Sequence, residues 1–178
     1  MKIKRFYLIC FALLACCPSF AGGLQHVKGM SSVGVYGGTG WGNCFNVGVT
    51  YNYLFHNRWS VFADLAYERG VFDRSGFQGI SLKPGVEAMV WHPATWFYLH
   101  LDGGAIVCYD MWKQKDTLEN NNGAGVGVYL GFNLDFTVIP QLSIIVRAEQ
   151  DWRYTWLKSG GYNYFSPLFG IGLKYNIR

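Results

Sequence analysis

The run "LSIIVRAEQDWRY", residues 142–154, switches character at every position. Leu142, Ile144, Val146, Ala148 and Trp152 share one parity, while Ser143, Arg147, Glu149, Asp151 and Arg153 share the other. Side chains alternate along a β-strand, so this segment has an oily face and an ionic face. A chain built from such segments has two outlets: a water-soluble sheet with its oil inside, or a membrane barrel with its oil outside.

The pattern recurs in eight segments, at approximately 29–37, 43–55, 58–72, 77–91, 95–112, 123–137, 141–154 and 163–177. Links after the second, fourth and sixth are tight ("HN", "HPA", "VIP"). Those after the first, third, fifth and seventh are wider or more polar ("GGTGWG", "DRSG", "KQKDTLENNN", "LKSGGY"). Alternating short and long links describe an up-and-down meander with two different ends. In an outer-membrane barrel the short turns face the periplasm and the longer loops face outside.

Each segment carries the same division. Phe45, Val47, Val49, Tyr51 and Tyr53 oppose Asn46, Gly48, Thr50 and Asn52; Val126, Val128, Leu130, Phe132 and Leu134 oppose Gly127, Tyr129, Gly131 and Asn133. The oily rows are about nine to eleven residues long, as a tilted membrane strand requires. The opposite rows mix charge with glycine, which suits a narrow lumen where side chains compete for room. A lipocalin-type soluble barrel is the competing reading, and parity alone does not separate the two. Aromatic placement does: Trp41, Trp59, Trp91, Trp96, Trp112, Trp152 and Trp156 lie at strand ends or in adjacent loops, as interfacial girdles do. The expected fold is therefore all-β, an eight-stranded up-and-down antiparallel transmembrane barrel of outer-membrane type, occupying residues 22–178.

Residues 1–21 read as a secretory signal. Lys2, Lys4 and Arg5 precede the apolar "FYLICFALLACC", and "PSFAG" offers a small-residue cleavage site after Ala21. A competing reading takes "LLAC", ending at Cys16, as a lipobox, to which Leu14 is a poor fit. Without the signal, twelve basic residues face eleven acidic ones, a net charge of +1 that gives no electrostatic support for nucleic-acid binding. Cys44 and Cys108 remain; their strands are not neighbours in a meander, so two buried free thiols are expected rather than a bridge. No Cys/His spacing suggests a metal.

Asp64, Glu68, Lys83, Glu87, Asp102, Asp135, Arg147, Glu149, Asp151 and Arg153 take the inward parity, together with His100 and Lys174. Carboxylates beside His100 could serve general acid–base chemistry. A structural charge network filling the lumen is the preferred reading, with no catalytic, cofactor or metal site. The glycine-rich "GGTGWG" and "GAGVGVYLG" open no helix and are a hairpin loop and a strand, not phosphate cradles.

The C-terminal "GIGLKYNIR", with Gly172, Tyr175 and Ile177, is similar to the sorting signal that barrel-assembly machinery reads on a last strand, although Arg178 follows the final apolar residue. More of the chain, roughly residues 24–178, resembles the TraO family of conjugal transfer proteins from Bacteroides-type conjugative transposons. The similar pieces are "QHVKGMSSVGVYGG", "NCFNVGVTYNYLFHNRWSVFADLAYERG", "GVEAMVWHP", "GVGVYLGFNLDFTVIPQLSIIVRAEQ" and "SPLFGIGLKYNIR". The region around "MWKQKDTLENNN" is shorter than the family's. This resemblance implies a non-enzymatic outer-membrane component of a conjugation apparatus, in contact with membrane lipid and other conjugation proteins, with no cofactor and no direct nucleic-acid contact. The alternatives are a general structural barrel acting in adhesion or envelope protection, and a lipid-acting outer-membrane enzyme. The first would carry protruding, hydrophobic or β-extended loops, whereas the loops here are short and polar. The second would need a Ser/His/carboxylate cluster at one rim, and His26, His56, His92 and His100 are its only histidines.

Overall fold

The computed structural model describes residues 27–40, 43–72, 75–113 and 120–177. The signal segment, Cys16, His26 and Trp41 lie outside the described residues. Eight strands, β1 (Ser31–Gly40), β2 (Phe45–His56), β3 (Trp59–Phe72), β4 (Ser75–Ala94), β5 (Phe97–Lys113), β6 (Asn120–Ile139), β7 (Leu142–Leu157) and β8 (Gly160–Ile177), pair antiparallel in sequence order. β1 also pairs with β8, from Ser31↔Ile177 to Gly40↔Leu168, and closes the ring. Among the described residues no helix is long and apolar enough to cross a membrane.

The eight segments are all strands, but the far end, opposite the termini, differs from expectation. Pairing persists to Phe72↔Ser75 between β3 and β4, and to Leu157↔Gly160 between β7 and β8. The links after the third and seventh strands are thus two residues each, not wide loops. The ladder bonds backbone to backbone, so polar and glycine residues extend it as well as oily ones do. Gly160, with φ of 128°, provides the left-handed position that this tight β7–β8 turn requires. At the terminal end the register slips near each turn, at Leu54/His56, Met89/Trp91 and Thr137/Ile139. Bulges there increase local twist where the chain reverses.

Alternation along the strands inverts a soluble protein. Leu130 and Ile171 are 61% and 62% exposed, whereas Asp64 and Lys83 are fully buried. The competing soluble barrel, with its oily face inward, is therefore not what forms. Trp59, Trp91 and Trp156 are exposed near strand ends on the outer surface, whereas Trp152, also exposed, lies inside β7 opposite Val128 and Phe165. Trp112 departs from the girdle: it shares the inward parity of Cys108 and Asp110, and its ring lies 4.8 Å from fully buried Phe77 and 6.1 Å from buried Tyr164. These rings cap the lumen at the far end.

Lumen glycines make room for two tyrosines. Tyr36 pairs with Gly48 on β2 and Gly172 on β8. A Cβ at Gly48 would collide with the Tyr36 ring and hydroxyl, and one at Gly172 would lie 2.7 Å from its Cβ. The Tyr129 hydroxyl similarly spans Gly104 and Gly85. Gly48→Val is expected to destabilise the barrel by about 1–3 kcal/mol through overpacking. Gly37→Val on the outer face, whose Cβ meets neighbours only at 3.8 Å, should be near neutral. Thermal loss of the compact, fast-migrating gel form in detergent measures both.

Candidate functional site: the charged lumen

β7 is the spine of the interior. Arg147, Glu149, Asp151 and Arg153 project inward from alternate positions, all buried. In a ring of eight, β3 and β4 lie on the far side from β7 and supply the counter-charges. Arg147 donates from Nη1 to Asp64 Oδ2 at 2.8 Å and from Nη2 to Glu149 Oε2 at 3.0 Å. Lys83 bonds Glu149 and lies 2.9 Å from Asp151 Oδ2. Arg153 donates Nε to Asp151 Oδ2 at 3.1 Å and also bonds Glu68. The result is an unbroken relay of alternating sign across the lumen: Asp64, Arg147, Glu149, Lys83, Asp151, Arg153, Glu68.

A second cluster fills the terminal half. Lys174 on β8 pairs with Asp135 on β6. Glu87 accepts from Ser60 Oγ at 3.2 Å, Asn133 Nδ2 at 3.1 Å and Asn52 Nδ2 at 3.5 Å, and lies 3.3 Å from His100 Nδ1. Ser60, Glu87 and His100 are thus close, but the serine proton goes to the carboxylate and not to imidazole. That order does not activate a hydroxyl for attack, because general-base catalysis needs the base to hold the nucleophile's proton. His56 lies at the end of β2, its Nδ1 accepting from Arg58 N at 3.4 Å, and His92 packs on Tyr98 near the end of β4. Among the described residues no group of His, Cys, Asp and Glu side chains could hold a metal.

Asp102 is in the same lumen, on a row with Glu87 directly across on β4 and Glu149 beyond Gly131. It is 3% exposed, and neither of its carboxylate oxygens has a hydrogen-bond partner. Two residues with roles in the network escaped the sequence reading. Tyr36 donates to Asp64 at 2.9 Å, and its ring stacks 4.3 Å from the Arg147 guanidinium. Asp110, 1% exposed, accepts from Thr155 Oγ1 at 2.7 Å and lies 3.7 Å from Cys108 Sγ. Parity on β5 could have found Asp110, since it stands two positions from Cys108. Tyr36 gave no signal, because a tyrosine suits either face. Cys44 and Cys108 are free, buried thiols. Gly172, Tyr175 and Ile177 sit on β8, with Tyr175 and Ile177 facing outward beside the seam with β1.

The cavity between Arg147, Lys174, Glu87 and Asn133 has a volume of about 20 Å³, room for about one water. Charges held so tightly depend on their partners: leaving one unpaired costs about 3–5 kcal/mol. Arg147→Ala strips Asp64, Glu149 and Tyr36 of one shared partner, so the temperature at which the compact gel form disappears should fall steeply. Lys158→Ala, in the exposed β7–β8 turn, should leave it in place. Equal transitions for the two variants would show that the relay carries no stability.

No protein-family model and no curated protein matches the sequence. Solved structures do match. The N-terminal β-barrel domain of Pseudomonas aeruginosa OprF superposes with a TM-score of 0.62 at 9% identity, over 84% of this chain and 98% of that one. A major outer membrane protein from Thermus thermophilus gives 0.60 at 12% identity, over 83% and 99%. Ail, the attachment invasion locus protein of Yersinia pestis, gives 0.52 at 18%, over 85% and 100%. At such identities the likeness establishes the fold: this chain is an eight-stranded up-and-down barrel of the outer-membrane type.

Proposed function

We propose that the chain is a sealed, non-enzymatic barrel of the outer membrane, and that it serves as an envelope component of a conjugative DNA-transfer apparatus. One observation carries the first part. The relay from Asp64 to Glu68 crosses the whole lumen, and Phe77, Trp112 and Tyr164 cap it at the far end. A filled interior has no route for solute and no cleft for substrate, so function falls to the outer surface and rims. The exposed oily belt supports the membrane placement, since apolar patches of that extent need lipid or a partner. Gly172, Tyr175 and Ile177 would then present the last strand to the barrel-assembly machinery, and the terminal end would face the periplasm. The transfer role rests on the resemblance to TraO.

A second reading, a general structural barrel acting in adhesion, draws on the far end. The β5–β6 pair continues to Lys113↔Asn120, and β3–β4 and β7–β8 are paired up to two-residue links. Those are β-extended hairpins, and one matching structure is an attachment invasion locus protein. A clean deletion separates the readings: the conjugation role requires loss of DNA transfer with envelope integrity unchanged, and normal mating frequency would defeat it. In planar bilayers the purified barrel should pass no ionic current. Steady single-channel conductance of the unaltered chain would show that the lumen is not sealed.

A further inference from the structure

Charge is sorted by sign across the barrel wall. Every carboxylate among the described residues is buried in the lumen, the most accessible being Glu149 at 7%. The lumen also takes Lys83, Arg147, Arg153 and Lys174. The described exterior is left with Lys28, Arg58, Arg69, Lys113 and Lys158, all exposed, and no acid. Three carboxylates, Asp73, Asp116 and Glu119, lie in the far-end links outside the described residues, together with Arg74 and Lys115.

Two of these cations stand on neighbouring outward rows. Arg69 pairs across β3–β4 with Gln78, and Lys113 pairs across β4–β5 with Gly76. All four residues take the outward parity of their strands, at the far end. Gly76 stands between Val71 and Lys113, one row above Arg69 and Gln78, and a Cβ there would meet only Lys113, at 3.8 Å. Arg69 and Lys113 make no ion pair with any described residue. The next outward row is Tyr67, Ile80 and Tyr109, and beneath it come Leu65, Leu82 and Val107, exposed and apolar. The rows nearest the rim thus hold the two bases beside exposed Val71 and Met111, the next holds two tyrosines flanking Ile80, and the one beneath only aliphatic side chains, an order that suits phosphate, ester and acyl chain in a lipid. Three strands make a bed about 10 Å wide.

We propose that Arg69, Gln78 and Lys113 form a binding site for the phosphorylated headgroup of an outer-leaflet glycolipid, whose acyl chains lie along β3–β5. The site rests on the outer-membrane reading, with the far end outward. A lipid fits better than a nucleic acid or an acidic protein, because the bases stand directly over the girdle on the lipid-facing rows. The two cations set across a single strand favour a headgroup bearing two phosphates, and arginine can grip one of them bidentately.

Native mass spectrometry of the folded barrel in detergent, titrated with bisphosphorylated lipid A, tests the site. Lipid A should be retained, and its dephosphorylated form should not. R69Q/K113Q should bind about thirtyfold more weakly, at the usual strength of one basic residue near an anionic surface. K28Q/R58Q, which removes the same charge from the terminal end, should bind within about twofold of the parent. Equal retention by R69Q/K113Q and the parent would overturn the site. So would phosphatidylglycerol or an oligonucleotide binding as tightly as lipid A. A chain that never yields the compact gel form in detergent would sink the membrane reading itself, and the site with it.

Discussion

Closure of β1 on β8 is the constraint from which the rest follows. Hydrocarbon offers no partner to an unpaired backbone group, so a sheet can exist there only without edges. The ten paired positions from Ser31↔Ile177 to Gly40↔Leu168 remove the last edge. Once the ring is closed at eight strands, its interior is too narrow for solvent and must be filled by side chains. Oil outside and ions inside are then the only assignment in which each face meets its proper surroundings.

The ionic interior does more than fill space, because it sets register. A one-residue slip of β7 against its neighbours would turn Arg147, Glu149, Asp151 and Arg153 toward lipid together. Arginine or lysine on the lipid face of a barrel costs about 2–4 kcal/mol near the midplane, and a carboxylate less. Buried pairs are weak evidence for stability when compared with an oily core, yet they penalise the wrong register heavily. The position of the spine fits that role: β7 answers β3 and β4 across the diameter, so one relay ties together strands that share no ladder.

Most of the architecture was legible because period-two alternation survives in every strand. Burial of Asp64, Lys83 or Glu149 follows from parity once the inversion is accepted. What escaped has a common cause. Tyr36 and Trp112 are amphipathic rings that suit the girdle as well as the lumen, so composition did not reveal that they turn inward, although parity with Cys108 does so for Trp112. Tyr36 lies inward because Gly48 and Gly172 vacate the space beside it, a match between three strands that no single segment displays. The far-end ladders were missed for another reason. Above the belt the outward face no longer needs oil, so alternation fades while backbone pairing continues through Phe72↔Ser75 and Lys113↔Asn120.

Sorting by sign also changes what net charge means here. A total of +1 over residues 22–178 looks neutral, and on that ground nucleic-acid binding had no electrostatic support. Yet the described acids are all sealed behind the wall, and among the described residues the outer surface presents only bases. What a partner at the rim meets first is the field of the exposed charges, since more distant ones are screened within about 8–10 Å. Barrels therefore need two charge counts, one for each side of the wall. For this chain the inner count explains cohesion, through Arg147, Lys83 and Arg153. The outer count explains adhesion to a phosphate-bearing leaflet, through Arg69 and Lys113. The same parity that hides the carboxylates leaves those two bases without an acidic neighbour on the described exterior, on the side of the wall that faces lipid.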